Sequence, residues 1–462
     1  MLAGRLWIGG IVALVLLAAV LLGIRPSPVW LVLPFAGAGA VALLQRPVLG
    51  LVGVVAAALV VNLQIGTGTE VALNLATILV PALLAVWVLD MIRRGEVRLA
   101  PSRTNRPLLL FLVAGLVSLV VSIGTWDPAV PRSGNFTLVQ LAQWAIFAFA
   151  ATAFWLTGNL VHDLTWLRRL AFSFLAVAGG LAILRVAPPT MALVGRFATF
   201  ALDRAPFWML LTALAGGQLL FNRRLSRVWQ VFLGVSLAAA GMYALYWEQA
   251  TASNWIGVLA VAGILAWLRW PRLRWPVILL LAVLTVTGGL TSKVYNFAGG
   301  GAEWEQSGGS RLALIGRVIQ LSMRNPITGL GPAAYRPYGL TGSLQYGGAY
   351  YYSIALSSHN NYVDLFSHVG LLGLGLLAWF AVEVARLGLR LRAHFTEGFA
   401  AGYVNSMLAA GVGTLVLMMF ADWILPFVYN IGFPGFQASV LVWLFLGGLV
   451  ALEQIMARES AA

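Results

Sequence analysis

Apolar segments long enough to cross a lipid bilayer recur from one end of this chain to the other. A transmembrane helix needs roughly 17–25 mostly apolar residues. Hydrophobic residues make up 60% of the 462 positions and charged residues only 10%, fewer charges than a soluble chain of this length carries. The pattern therefore predicts an all-α polytopic membrane protein, a single integral membrane domain over residues 1–462. About fourteen spans are predicted, near residues 6–24, 28–44, 47–64, 71–92, 108–124, 137–157, 167–187, 205–221, 229–247, 252–268, 275–290, 360–386, 399–420 and 434–456.

Arginine-rich loops alternate along the chain with loops that carry few basic residues. The first span, residues 6–24, has no convincing cleavage site after it and is interpreted as a retained helix. The positive-inside rule then makes the arginine-rich side cytoplasmic, together with both termini. The opposite side holds one long loop, residues 291–358, and the histidine that follows it. The net charge of +14 is divided among short loops, which argues against nucleic acid as a partner. The arginine-rich loops lie near residues 93–106, 168–169, 223–227, 269–274 and 386–392.

A His-Asn pair stands where the long loop enters an apolar helix. His359 and Asn360 are followed by nine residues and then by Gly-Leu-Leu-Gly, residues 370–373. Histidine titrates near neutral pH, so His359 can serve as a general base for a hydroxyl group. The alternative is a histidine that only hydrogen-bonds the loop. Asn360 and Tyr362 are candidate supporting residues.

Three further ionisable residues lie near this motif. Asp364 and His368 are spaced i, i+4 and are expected to form a structural pair on a helix face that His359 does not share. Asp422, at the outer end of the next span, is expected to orient the imidazole or to hold a positive group.

The long loop contains a predicted amphipathic helix over residues 310–324, with Ser310 as its N-cap. Arg317 and Arg324 belong to its polar stripe, whereas Arg311 lies on the apolar side. Such an arginine either snorkels toward water or clamps a diphosphate, because a guanidinium matches phosphate oxygens in pairs. We favour the clamp for Arg311 and a solvated face for Arg317 and Arg324.

A second outer loop carries three arginines against the positive-inside trend. One of Arg185, Arg196 and Arg204 is expected to neutralise Asp203, and Arg196 is the favoured second phosphate ligand, with Arg204 as a further candidate. Contact with lipid headgroups is the alternative for this loop. The long loop also holds six tyrosines, which are expected either to stack on sugars or to form an interfacial aromatic belt: Tyr335, Tyr338, Tyr346, Tyr350, Tyr351 and Tyr352.

Three segments between about residues 195 and 375 resemble, in order, motifs of the O-antigen ligase-like family. Gly195–Phe200 is similar to its Arg-x-x-Gly-Thr-Phe segment, with Ala198 in place of glycine. Ser310–Pro332 is similar to its Ser-Arg helix and Asn-Pro-x-x-Gly-x-Gly-Pro turn, and the His359 segment is similar to its His-Asn signature. The chain departs from the family at His368, where an acid is frequent, and at Asn254, where the family often has arginine.

The resemblance implies a GT-C-like, metal-independent glycosyltransferase of the cytoplasmic (inner) membrane that needs no cofactor and acts on the periplasmic face. The donor would be a glycan on polyprenyl (undecaprenyl) diphosphate, with its tail in an apolar cavity among the spans. The acceptor would be a hydroxyl of lipid A core, as in an O-antigen ligase, or a second lipid-linked glycan, as in a polymerase. In that scheme His359 activates the acceptor, and Arg311, Arg196 and Arg204 bind the diphosphate. A lipid-linked glycan transporter or flippase is the alternative, for which inverted repeats are expected and none is seen.

Overall fold

A computed structural model describes residues 43–66, 72–96, 98–249, 251–297, 309–352 and 354–460, with isolated positions among the first 42 residues. The predicted span at residues 6–24 and most of the one at 28–44 lie outside these ranges. In the described ranges, apolar helices correspond one by one to the predicted spans from residues 47–64 onward. These helices are α1 (Val48–Leu59), α2 (Leu75–Arg94), α3 (Asn105–Gly124), α4 (Phe136–Leu160), α5 (Leu164–Val186), α7 (Ala205–Phe221), α8 (Arg227–Met242), α9 (Ala252–Arg269), α10 (Arg274–Val286), α14 (Asn361–His394), α15 (Gly398–Leu417) and α16 (Gly432–Glu459).

The helices identify a multi-pass membrane protein. Eight described helices are long and apolar enough to cross a bilayer, counting α8 together with the π-helical turn Tyr243–Trp247 that continues it. The helices α1, α7, α9 and α10 are apolar but shorter. The predicted total of about fourteen spans is not confirmed, because the first two fall on residues that are not described.

The loops fall into two groups at opposite ends of the helices, as the arginine pattern predicts. At the basic end, Arg458 Nη1 donates to His162 O over 3.1 Å and Arg392 Nη2 donates to Leu268 O over 3.1 Å. At the other end, the backbone N–H of Thr199 donates to Leu59 O over 3.3 Å. Which end faces the cytoplasm stays a prediction.

The centre of the fold is α16, which packs against α4, α7, α14 and α15. Its residues Gly447 and Gly448 face the neighbouring helices, and a Cβ on Gly447 would lie 2.1 Å from Phe154 O. Small residues at such a crossing let two backbones approach closely, a common way of packing helices in membranes.

The outer loop has more regular structure than its Gly- and Ser-rich sequence predicts. It contains α11 (Gly289–Phe297), α12 (Ser310–Ser322), α13 (Tyr335–Gly339) and a hairpin of β3 (Ser343–Tyr346) with β4 (Ala349–Tyr352). The hairpin turns at two glycines with positive φ, residues 347 and 348. The amphipathic helix is confirmed as α12. Its N-cap is Gly309, so the expectation for Ser310 is wrong by one residue. A second small hairpin joins β1 (Gln64–Gly66) to β2 (Ala72–Asn74).

The helix α14 is longer than predicted and is broken at Gly370, where φ is 66° and ψ is −168°. The Asn-Pro turn of the outer loop fits into this break. The N–H groups of Leu371 and Leu372 donate to Pro326 O (2.9 Å) and Ile327 O (3.1 Å). A Cβ on Gly370 would lie 2.1 Å from Ile327 O. The first glycine of the Gly-x-x-Gly sequence is therefore required by backbone geometry.

Candidate active site

His359 lies at the mouth of α14, in the left-handed region with φ of 49°. Its half-buried imidazole has Nδ1 at 3.4 Å from Asn430 Nδ2. Burial lowers the pKa of His359; the Asp422 carboxylate opposes this shift and the Arg311 guanidinium adds to it. The imidazole is therefore mostly neutral at neutral pH, which is the form that accepts a proton.

Asp422 is buried in the connection between α15 and α16, residues 418–431, called here the acidic loop. Its Oδ1 accepts a hydrogen bond from Asn430 Nδ2 over 2.7 Å, and its Oδ2 accepts one from the Phe427 N–H over 3.0 Å. Asn430 therefore bridges Asp422 and His359. Burial raises the pKa of Asp422, whereas the Phe427 N–H and His359 act in the opposite direction. The sequence gives no signal that would have identified Asn430.

Arg311 approaches the same loop from the first turn of α12. Its half-buried guanidinium has Nη1 at 3.5 Å from Phe420 O, at the limit of a hydrogen bond. Phe420 lies two residues before Asp422, so Arg311 contacts the loop that holds the Asp422 carboxylate. The structure thus brings together His359, Asp422 and Arg311, three residues that the sequence singled out.

Arg204 reaches the acidic loop from another direction. It precedes α7, and its guanidinium carbon lies 3.6 Å from the centre of the Phe200 ring and 5.1 Å from that of Trp423. Its buried Nε has no hydrogen-bond partner within the described contacts. Burial lowers the pKa of Arg204, and the nearby Asp203 opposes this. Arginine stays charged under such a shift.

The structure does not bring Arg196 to this site. Arg185 Nη2 contacts Asp203 Oδ1 at 2.9 Å, so Arg185 is the arginine that neutralises this carboxylate. Arg196 lies exposed in the last turn of the short helix α6 (Pro188–Phe197). A non-α-helical segment, residues 198–204, separates this helix from α7, so Arg196 lies on a different element from Arg204. Arg204, which was the lesser candidate, is the one of these two arginines that reaches the acidic loop.

Asn360 and Tyr362 hold the start of α14. Asn360 Oδ1 accepts from the Tyr362 N–H (3.0 Å) and the Val363 N–H (3.2 Å), and its Nδ2 donates to Met419 O (2.9 Å). The Tyr362 hydroxyl donates to Leu415 O over 2.8 Å. Both residues support His359 through the backbone.

Two amides that were not singled out fix the buried part of the acidic loop. Asn361 Oδ1 accepts from the Ile424 N–H over 3.0 Å, and its Nδ2 donates to Leu425 O over 2.8 Å. Gln143, from the middle of α4, donates to Pro426 O over 3.0 Å and accepts from the Val428 N–H over 2.8 Å. Irregular backbone buried among membrane helices requires such partners. The sequence feature that could have identified Gln143 is its position as a glutamine inside an apolar span.

The expected pair of Asp364 and His368 is wrong. Asp364 Oδ1 accepts from the Tyr335 hydroxyl (2.8 Å) and from Ser358 Oγ (2.7 Å). His368 Nδ1 instead accepts from the Ala333 N–H over 3.3 Å. The Tyr335 ring stacks on His368, with centroids 5.6 Å apart. The Asn-Pro turn and α13 supply these partners, so the two residues bind the outer loop and not each other.

Five of the six tyrosines of the outer loop fall into two groups, and the sixth, Tyr346, is half-buried on β3. Tyr335 and Tyr338 are buried, whereas Tyr350, Tyr351 and Tyr352 are exposed on β4. The two buried tyrosines therefore have a structural role, and the three exposed ones are the part able to meet glycan or lipid.

The two arginines of the polar stripe of α12 differ in exposure. Arg324 contacts Asp127 at 2.8 Å and is largely exposed, as predicted. Arg317 is half-buried and donates to Gln320 Oε1 over 2.9 Å.

An apolar cavity of about 130 Å³ lies between α14, α15 and α16 and touches the acidic loop. Met418, Ile424 and Leu425 of that loop line it, with Trp443 and Phe380 from the helices. The cavity thus extends from the buried part of the acidic loop along the deeper part of α14. Within the described residues, no group of three or more His, Asp or Glu side chains is arranged to hold a metal ion.

No curated protein matches the chain. Residues 236–378 match the family model described as O-Antigen ligase. The matched range includes Arg311 and His359 and ends before Asp422. The match confirms the resemblance of this chain to the O-antigen ligase-like family.

Proposed function

We propose that this protein is a membrane glycosyltransferase that moves a glycan from a polyprenyl-diphosphate donor to an acceptor hydroxyl, in the manner of an O-antigen ligase or polymerase. The observation that carries the proposal is the convergence on the acidic loop. A neutral histidine, a buried carboxylate and two arginines from separate elements meet there, beside an apolar cavity. A lipid diphosphate that carries a sugar needs these surroundings.

In the proposed step, His359 takes the proton of the acceptor hydroxyl. The acceptor oxygen forms a bond to the anomeric carbon of the donor glycan. The bond from that carbon to the phosphate oxygen breaks, and its electron pair stays with the diphosphate. Arg311 and Arg204 stabilise the negative charge of this leaving group through paired hydrogen bonds. The products are the extended acceptor, polyprenyl diphosphate and a protonated His359.

Asn430 sets the tautomer on which this step depends. When its Nδ2 donates to His359 Nδ1, the imidazole proton resides on Nε2. For Nε2 to act as the base, Nδ1 must carry the proton and needs an acceptor. Rotation of the Asn430 amide would present its oxygen to Nδ1. This rotation breaks the hydrogen bond from Asn430 Nδ2 to Asp422 Oδ1.

The apolar cavity is the proposed site for the start of the polyprenyl tail. Its volume of about 130 Å³ is roughly that of four water molecules, so it holds only the first part of the chain. The remainder of the tail would extend into the surrounding lipid. In this proposal the diphosphate is held by Arg204 and Arg311, outside the cavity.

We also propose a GT-C-like architecture, an active site on the periplasmic face of the inner membrane, and a reaction that needs no metal ion. Ligase and polymerase activity share this site. The acceptor, lipid A core or a second lipid-linked glycan, separates them. Membrane lipid is the expected surrounding partner in either case.

Transfer assays with purified protein in liposomes test the proposal. A glycan on undecaprenyl diphosphate is supplied with and without lipid A core, and products are separated by size. We expect transfer by the wild type and a loss of about 10²–10⁴-fold in His359→Ala. His394→Ala, at the opposite end, is the control and should keep full activity. Movement of the lipid across the bilayer without glycan transfer would favour the flippase and reject the glycosyltransferase.

A further inference from the structure

A charged cleft of about 670 Å³ lies at the end of the helices opposite His359. Its walls come from the α2–α3 connection with the first turn of α3, the second half of α14, and the last turns of α16. The lining side chains are mainly charged. They include Arg103, Arg106, Arg390, Trp379, Glu383 and Glu453.

The cleft lies at the basic end of the helices, beside the arginines of residues 98–106 and 386–392. Trp379 lines it, and tryptophan is enriched at membrane surfaces, where lipid headgroups lie. A cleft at this end of the helices is therefore a place where headgroups can bind.

When the ion pairs around the cleft are counted, two arginines remain without an acidic partner among the described residues. Glu383 Oε1 contacts Arg386 Nη1 at 2.8 Å, and Glu453 Oε1 contacts Arg390 Nη2 at 2.8 Å. Each glutamate is thus paired with an arginine of α14. Arg103 and Arg106 have no ion pair within the described residues. Arg106 also lies in the first turn of α3, where the helix dipole favours an anion.

We propose that this cleft binds the headgroup of a phospholipid with two phosphate groups. The two remaining positive charges match two phosphate charges, and arginine binds phosphate oxygens in pairs. Basic pockets between transmembrane helices are a known site for such headgroups. The bound lipid would link α3, α14 and α16. It does not depend on the glycosyl transfer described above.

Native mass spectrometry of the detergent-purified protein tests this site. The probes are cardiolipin, phosphatidylglycerol and phosphatidylethanolamine, each titrated separately. We expect one cardiolipin to bind at least about tenfold more tightly than the other two, because both arginines then have a phosphate partner. Equal binding of the three lipids would overturn the proposal. Displacement of cardiolipin by millimolar inorganic phosphate would assign the cleft to a soluble anion and also reject it.

Two double variants distinguish lipid binding in this cleft from general attraction to the basic surface. Arg103→Ala/Arg106→Ala should lose the preference for cardiolipin. Arg223→Ala/Arg227→Ala removes two exposed arginines from another loop at the same end and should keep it. Equal losses in the two double variants would show attraction to the basic surface as a whole. The melting temperature without lipid should be the same for all forms, which excludes misfolding as the cause.

Discussion

Ser358 Oγ donates a hydrogen bond to Asp364 Oδ1 over 2.7 Å and so spans the left-handed residue His359. The same Oγ accepts the N–H of Asn360 over 3.0 Å. Tyr335 donates to the same carboxylate oxygen, which ties the outer loop to this turn. The conformation of His359 is thus fixed from both sides of the chain.

Ser358→Ala should lower the turnover of the transferase by up to about 10²-fold, because a small displacement of a catalytic group has that effect. The affinity for the donor should change little, since Ser358 touches neither arginine. The measurement is kcat and KM with the liposome assay. In a His359→Ala background the serine substitution should have no further effect. A further loss in that background would show that Ser358 acts on the fold in general.

The acid limb of the pH–rate profile reports the pKa of His359. Burial lowers this pKa from 6.5, so the limb of kcat/KM should lie below that pH. Asp422→Asn removes the negative charge that raises the pKa, and the limb should move to lower pH. Arg311→Gln removes the positive charge that lowers it, and the limb should move to higher pH. Shifts of the same sign in both variants would contradict the arrangement.

Arg204 and Arg196 provide a matched test of the phosphate ligands. Arg204→Ala should weaken donor use by about tenfold to a hundredfold, the loss of roughly 1.5–3 kcal/mol for a charged hydrogen bond. Arg204→Lys should restore donor use only partly, because lysine cannot form paired hydrogen bonds to two phosphate oxygens as arginine does. Arg196→Ala removes the same charge from the exposed end of α6 and should be nearly neutral. The KM for the donor is the readout, and a larger effect at Arg196 would restore the original assignment.

The orientation can be read directly because the chain has no cysteine. Tyr351→Cys on the exposed hairpin should react with a membrane-impermeant maleimide in intact spheroplasts. Arg103→Cys at the opposite end should react only after the membrane is permeabilised. The reverse pattern would place His359 in the cytoplasm and exclude a periplasmic transferase.

The apolar spans and the position of His359 follow from local sequence, and the structure agrees with both. Hydropathy predicts helices because a membrane leaves the backbone few alternatives. The partners of His359 are not local. Asn430 lies 71 positions away in the chain, and the acidic loop is held by Asn361 and by Gln143 of a distant helix. The structure brings Arg204 to the acidic loop and leaves Arg196 exposed on a separate short helix, which the sequence does not show. Such contacts depend on how the helices pack.

Gly370→Ala tests whether the break in α14 holds the site together. The substitution adds a Cβ that would lie 2.1 Å from Ile327 O and forces alanine into a φ of 66°. A residue other than glycine in this sparsely populated conformation costs about 1–3 kcal/mol before any backbone moves. We expect a lower melting temperature in detergent and a loss of transfer, because the Asn-Pro turn positions the loop that carries Tyr335. Gly375→Ala, one turn further along α14, meets nothing within 4 Å and should leave both properties unchanged. If Gly370→Ala keeps full stability and activity, the turn and the helix break are independent of the site.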